Sequence, residues 1–200
     1  MGIMINHEAR RRDILEKSLR LFAEQGYEDV TLQKIADRCG IARTTLYKYF
    51  KDKRQIFDYT ISLTTADLTQ TYAELTSASL PACEKLKNVL NHVLSLIFLH
   101  RLLLTVILDY VLSAQRTGRS MRKPIEKHTI GLKTVLRRLI REGKRHGEIA
   151  IMPVGVACNL LYSILESAIL RITISENADI AEYKAMIERT VERIRTDDKL

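Results

Sequence analysis

The sequence predicts an all-α chain of about nine helices. Three observations carry that expectation. Apolar residues recur three or four positions apart in one segment after another. Side chains able to cap a helix N-terminus (Thr31, Asp52 with Gln55, Asp179 with Glu182) stand just before several of those segments. Gly26, Gly40 and Gly147, with the TSASLP run at 76–81, fall where the periodicity stops. A chain of 200 residues makes one domain or two small ones, and can bury a sizeable core without metals or disulfides. Its three cysteines, at 39, 83 and 158, are scattered and form no CxxC pair, which fits a reducing cytoplasm with each thiol a small core residue.

The first helix is expected from about Glu8 to Gln25, with Leu15, Leu19 and Phe22 on one face. Arg10, Arg11 and Arg12 crowd its start, where positive charge opposes the macrodipole, so they either reach solvent or meet phosphate. Thr31 then opens a short helix with Leu32, Ile35, Ala36 and Cys39 on its apolar face, and Gly40 ends it. Ile41 can plug the angle to a second short helix from about Ala42 to Tyr49. Leu46 and Phe50, four apart, point to the core, while Arg43, Thr44, Tyr47 and Lys48 lie on the other side with donors suited to a major groove. This is a helix-turn-helix pattern.

At these residues the chain resembles the N-terminal DNA-binding domain of the tetracycline-repressor (TetR) family of bacterial transcriptional regulators, over residues 10–57. TTLYKYFKDKRQIF, 44–57, is similar to the family's run of Leu-Tyr, two residues, an aromatic, two more and Lys before a long fourth helix. The resemblance implies a DNA-binding domain over 1–53 and a helical effector-binding and dimerisation domain over 54–200. It places base readout on Gln33, Arg43, Thr44, Tyr47 and Lys48, and phosphate contacts on Thr31, Thr45, Tyr49 and Lys53. Side-chain chemistry agrees: a guanidinium reads a guanine edge, a threonine methyl meets a thymine methyl, and helix N-termini favour phosphate. For Tyr47 and Tyr49, packing beneath the recognition helix is the alternative.

Beyond the motif the likeness is one of architecture. Asp52 and Gln55 are expected to open a long helix through Ile56, Phe57, Ile61, Leu68, Tyr72 and Leu75. A fifth helix carries Leu86, Val89, Leu90, Val93 and Ile97 and turns apolar on nearly every side, as a central helix does. A break near His100 and Arg101 would start a sixth helix, although no Gly or Pro marks it. After the RTGRS loop, a seventh helix from about Pro124 turns Leu132, Val135, Leu136, Leu139 and Ile140 inward and Lys127, Lys133, Arg137, Arg138, Arg141, Lys144 and Arg145 outward. The last two helices carry wide apolar stripes. The resemblance implies that they pair with their copies in a homodimer, through Leu161, Ile164, Leu165, Ala168 and Ile172 of one and Tyr183, Ile187, Val191 and Ile194 of the other; the alternative is a single chain that buries both stripes internally.

The implied function is a repressor that binds a palindromic operator on double-stranded DNA as a homodimer and is released by a small effector. A largely apolar interior favours a hydrophobic or amphipathic effector, with Tyr72, His100, Tyr110 and Glu166 as candidate polar lining groups. Control by a protein partner instead of a small molecule, and activation instead of repression, are left open by the sequence.

The net charge of +8 does not point to the helix-turn-helix. Residues 1–53 hold 11 Lys+Arg against 8 Asp+Glu, whereas residues 115–148 hold 11 against 3. The DNA reading therefore rests on the motif, and the basic run needs its own explanation. An anionic ligand tail is one. Val93–Leu112 is apolar enough to ask about a membrane, but Arg101 and Asp109 would each cost about 2.5–3.5 kcal/mol in lipid, so two buried helices fit better and no membrane role is expected. The N-terminus places its basic cluster after its apolar residues, the reverse of a secretory signal. A Gly-rich phosphate loop, a GxSxG elbow and an HExxH pair are all missing, and no two of the five histidines stand three or four apart. Neither an enzyme, a metal site nor a cofactor is expected.

Overall fold

The computed structural model describes residues 2–65, 68–77, 79–116, 122–149, 152–175 and 177–195, with side chains from His7 onward and, in the basic helix, from Thr129 onward. The described residues form ten helical segments: α1 (Gly2–Gln25), α2 (Leu32–Cys39), α3 (Arg43–Leu46), α4 (Lys53–Thr65), α5 (Leu68–Ser77), α6 (Ala82–Leu99), α7 (Arg101–Arg116), α8 (Arg122–Arg145), α9 (Val154–Ile174) and α10 (Ile180–Ile194). The helix expected from Asp52 to Leu75 corresponds to α4 and α5, and residues 66–67 lie outside the described ones. The break expected at His100 is real: His100 caps α6, its N–H donating to the Leu96 carbonyl at 2.9 Å, and α7 starts at the next residue.

Two compact units divide the chain. One comprises α1–α4 and α7; the other comprises α5, α6 and α8–α10. The first is larger than residues 1–53, because the recognition segment alone presents too little apolar surface to close a core. Ile14, Phe22, Ile35, Leu46 and Phe50 are joined there by Ile56 and Phe57 of α4 and by Leu103, Val106 and Tyr110 of α7, all buried.

Local rules account for the element ends. Thr31 Oγ1 accepts the Lys34 N–H at 3.3 Å as an N-cap. Gly40 takes the left-handed conformation at φ 64°, which lets its own N–H and that of Ile41 bond back to Asp37 and Ala36 and so close α2. Asp52 Oδ1 accepts the Gln55 N–H at 2.7 Å, and Gln55 Oε1 reaches back to the Lys51 N–H at 2.8 Å, one residue earlier than a reciprocal box requires. At α10, Asp179 Oδ1 accepts the Ala181 N–H at 2.8 Å.

In the second unit α6 is the central helix, packed on α5, α8, α9 and α10, as its all-round apolarity predicts. Two lysines are buried with it, and both are paired. Lys85 Nζ meets Glu142 at 2.8 Å, and Lys87 Nζ meets Glu192 at 2.6 Å and Glu84 and Glu188 at 3.0 Å. The apolar stripes of α9 and α10 correct the sequence reading. Leu161, Ile164, Leu165, Ala168 and Ile172, with Tyr183, Ile187, Val191 and Ile194, are all buried inside one chain, between 0% and 6% exposed. Periodicity showed that these residues need covering; α6, α9 and α10 cover one another, so none is left to meet a second copy. α9 is also long and apolar enough to cross a membrane, with a mean hydropathy of 1.3. That apolarity comes from two opposite faces, one in this core and one outward.

Candidate DNA interface

The helix-turn-helix is built by α2, the Gly40 turn and α3. The recognition helix is shorter than the eight residues expected. Only Arg43–Leu46 is α-helical, and the chain continues through tighter turns in which Lys48 and Tyr49 donate to the carbonyls of Thr45 and Leu46. Leu46 and Phe50 are buried beneath it, as their spacing requires. Opposite them Arg43, Thr44, Tyr47 and Lys48 are exposed. The structure thus brings four of the five expected base-reading residues onto one outward face. Arg43 Nη2 donates to the Tyr47 hydroxyl at 3.0 Å, with the guanidinium 5.5 Å from the ring centre, so each side chain orients the other. Tyr47 is 46% exposed and does not pack beneath the helix. Gln33, the fifth, is exposed on α2 and donates to Asp37 at 2.8 Å.

The expected phosphate contacts divide. Thr31 is exposed, and since its oxygen accepts from Lys34 its hydroxyl proton is available to an anion. Thr45 is half-buried. Tyr49 is half-buried against His7, ring centres 4.6 Å apart, so packing claims part of it. Lys53 differs most from expectation. Its ammonium donates to the carbonyls of Tyr27 at 2.7 Å and Glu28 at 2.9 Å and lies 4.5 Å over the Tyr27 ring, closing the turn after α1. A helix N-terminus would attract phosphate, but two carbonyls 26 and 25 residues back in sequence, invisible to local reading, reach the cation first.

Residues outside the expected readout set hold this face in place, among them Arg11, which was expected to reach solvent or phosphate. Arg11 lies 4.0 Å over Tyr59 and 5.3 Å over Phe50, so one arginine of the N-terminal cluster clamps α1 to the end of the recognition segment. Arg10 stands 3.8 Å from Asp13, and Arg12 is exposed. Arg38 on α2 makes two bonds to Glu24 on α1, at 2.7 and 3.2 Å, and that hydrogen bonding holds the Glu24 carboxyl below its ordinary range. Arg54 bonds both oxygens of Asp58 at 3.0 Å and reaches the Tyr110 hydroxyl at 3.4 Å. The i,i+4 spacing of Arg54 and Asp58 and the i,i+3 spacing of Arg10 and Asp13 were the sequence signals for these. Burial raises the Cys39 thiol above its ordinary value and keeps it protonated, a core residue as expected.

Of the four candidate effector-lining groups, Tyr110 belongs to the first unit and Tyr72, His100 and Glu166 to the second. Tyr110 is spent in the first unit, edge-on to Tyr27 at 4.6 Å and 5.5 Å from Phe57, which removes it from any pocket of the second. Glu166 is exposed on α9. Tyr72 and His100 are half-buried; burial pushes the Tyr72 phenol up to about 12, with Tyr162 adding to the shift, and pulls the His100 imidazole down. Tyr162 itself donates to Thr129 Oγ1 at 3.3 Å beneath the Lys133 ammonium, 4.2 Å from the ring. Among the described residues no three metal-ligating side chains converge.

Comparison with known proteins agrees with this geometry. Residues 14–60 match the model described as bacterial regulatory proteins, tetR family. The HTH-type transcriptional regulator YhgD of Bacillus subtilis, itself uncharacterized, is 24% identical over 140 residues, 70% of this chain and 72% of the relative. The HTH-type transcriptional regulator AcrR of Shigella flexneri is 34% identical over 86 residues, 42% of this chain but only 40% of the relative's length. Among solved structures, the ketosteroid transcriptional regulator KstR2 of Mycobacterium tuberculosis shares the fold with a TM-score of 0.75 over 94% of this chain and 96% of that one, at 18% identity.

Proposed function

Because the chain belongs to the tetR family of bacterial regulatory proteins, we propose that it is a sequence-specific repressor that binds a near-palindromic operator as a homodimer and leaves it when a small hydrophobic or amphipathic molecule binds. The observation that carries the DNA half is the outward face of Arg43, Thr44, Tyr47 and Lys48, set over a recognition segment whose opposite side is buried. Arg43, oriented by Tyr47, reads a guanine edge; Thr44 meets a thymine methyl; Lys48 reaches a base edge beside them, and the Thr31 hydroxyl donates to phosphate.

The dimer reading moves to the outward face of α9. Val156, Leu160, Ser163, Ser167, Leu170 and Ile174 are all exposed and follow at alternating four- and three-residue spacing, the seam of a helix pair. Val156, Leu170 and Ile174 are more than half exposed, a waste of apolar surface unless a copy of the chain covers it. Two recognition segments related by a twofold axis then read two half-sites one helical turn apart. For release, the effector binds the second unit and favours the conformation with lower operator affinity. The half-buried Tyr72, His100 and Tyr162 supply polar groups in that unit. A structural neighbour whose name ties it to ketosteroids supports a hydrophobic effector class.

Selection from a random double-stranded DNA pool, followed by mobility shift of the winners at two salt concentrations, tests the reading. Enrichment of a palindrome bound well above random DNA is the expected result, and the palindrome then serves as the probe in an effector screen. Unspecific, steeply salt-dependent binding alone would leave only the chain's charge at work and sink the operator claim.

A further inference from the structure

The basic helix α8 carries an outward stripe that the helix-turn-helix does not account for. Arg138, Arg141 and Arg145 follow at three- and four-residue spacing and are all exposed, with exposed Thr134 one turn earlier. At 1.5 Å per residue the three arginines fall within about 10 Å along the helix axis. Among the described residues, no carboxylate lies within salt-bridge distance of any of them. The acids nearest in sequence are engaged elsewhere: Glu142 turns inward to Lys85 at 2.8 Å, and Glu148 accepts the Cys83 N–H at 3.2 Å and stands 3.8 Å from His146. Glu126 lies outside the described side chains. Arg138 donates to Thr76 Oγ1 at 2.6 Å, which holds the guanidinium in place without neutralising it.

The cations at the end of α8 complement its dipole, but that effect fades within the last turn. It covers Arg145 and the neighbouring Lys144, whose ammonium already bonds the Met152 carbonyl at 2.6 Å. Arg138 and Arg141 lie deeper in the helix. The chemistry of the stripe selects its partner. Guanidinium forks match phosphate oxygens in bidentate fashion. No aromatic or aliphatic anchor stands between the arginines to seat a protein or enter a bilayer; Ile130, exposed one turn before Thr134, lies beyond them. The segment 115–148 carries 11 Lys+Arg against 3 Asp+Glu, a larger excess than the 11 against 8 of residues 1–53.

We propose that the Arg138–Arg141–Arg145 stripe is a second, sequence-independent binding site for the phosphate backbone of duplex DNA, able to hold a DNA segment other than the one in the helix-turn-helix.

The test uses the full chain in two arms: protein saturated with its selected operator duplex, and an Arg43→Ala/Lys48→Ala variant that needs no operator. Each is titrated with a fluorescent duplex of unrelated sequence, and anisotropy is read. Three phosphate contacts predict measurable capture at about 50 mM salt that weakens about 40-fold by about 200 mM. An added Arg138→Gln/Arg141→Gln/Arg145→Gln change should abolish the capture in both arms without lowering the thermal midpoint. Unchanged capture in that triple variant overturns the proposal, as does loss of capture in the Arg43→Ala/Lys48→Ala variant, which would assign it to the helix-turn-helix. Binding of phosphatidylserine vesicles with no capture of DNA would overturn it in favour of a membrane contact.

Discussion

The backbone N–H of Tyr27 donates to the Asp109 carboxylate at 3.1 Å, a bond between residues 82 apart that ties the turn after α1 to α7. The same residue's carbonyl accepts from Lys53, and its ring lies among Phe22, Phe57 and Tyr110. The turn that enters the helix-turn-helix is thus held on both sides of Tyr27 and by its side chain. α7 provides the acceptor, so a movement of α7 relative to α1 would be felt at this turn.

Removing that acceptor should cost stability before it costs specificity. Asp109→Ala leaves a part-buried N–H unpaired, and a loss of about 1–3 kcal/mol is expected in chemical unfolding of the variant. Asp109→Asn retains an oxygen and should lose less. Equal stability of wild type and Asp109→Ala would show that the bond contributes nothing.

Lys53 is expected to behave as a structural cation. Lys53→Ala withdraws a charged donor from two carbonyls, and about 1–2 kcal/mol should be lost, discounted because the side chain is a quarter exposed. An unchanged melting curve with uniformly weaker DNA binding would return Lys53 to the phosphate.

At the readout face, Arg43→Ala and Lys48→Ala should each weaken operator binding by about 1–3 kcal/mol and relax preference at one base position, with a smaller loss on random DNA. Tyr47→Phe frees Arg43 from its hydroxyl partner while keeping the ring, so a smaller loss is expected. Mobility shifts on single-base operator variants distinguish these; equal losses on specific and random DNA for Arg43→Ala would contradict its role.

Two substitutions of adjacent leucines separate dimer face from core. Leu160→Glu places a charge on the exposed stripe of α9 and should yield a folded monomer in sedimentation at micromolar concentration. Leu161→Glu buries a charge at a position 0% exposed and should unfold the second unit. A dimer that survives Leu160→Glu together with Leu170→Glu would place the interface elsewhere.

The Lys87 cluster sets a pH window. Bonding to Glu192, then to Glu188 and Glu84, raises the Lys87 ammonium above its ordinary 10.5 against the opposing effect of burial, and bonding to Lys87 holds Glu192 below its ordinary 4.5. A raised cation stabilises fully below 10.5, and that stability is lost as pH climbs through the higher folded value. A lowered carboxyl stabilises above 4.5, and its share is lost as pH falls through the lower folded value. The cluster's own contribution to the thermal midpoint should therefore be flat between those limits and lost outside them, so both limbs of the profile should be shallower in Lys87→Met. Identical profiles for the two proteins would remove the cluster from the pH response.

By itself the sequence determined what depends on neighbours a few residues apart. The caps at Thr31 and Asp52, the stop at Gly40, the buried pair Leu46 and Phe50 and the outward set Arg43, Thr44, Tyr47 and Lys48 all follow from helical spacing and turn chemistry. Tertiary structure decided whatever depends on which distant surface arrives first. Lys53 was available to phosphate until the carbonyls of Tyr27 and Glu28 came within 3 Å. Tyr110 was a plausible lining group until the aromatic side chains of the first unit closed around it. The apolar stripes of α9 and α10 announced that they must be covered, but periodicity is the same whether the cover is the chain's own α6 or a second copy. Only the packed structure separates the inward Leu161 from the outward Leu160, because burial is a property of the neighbours and not of the residue.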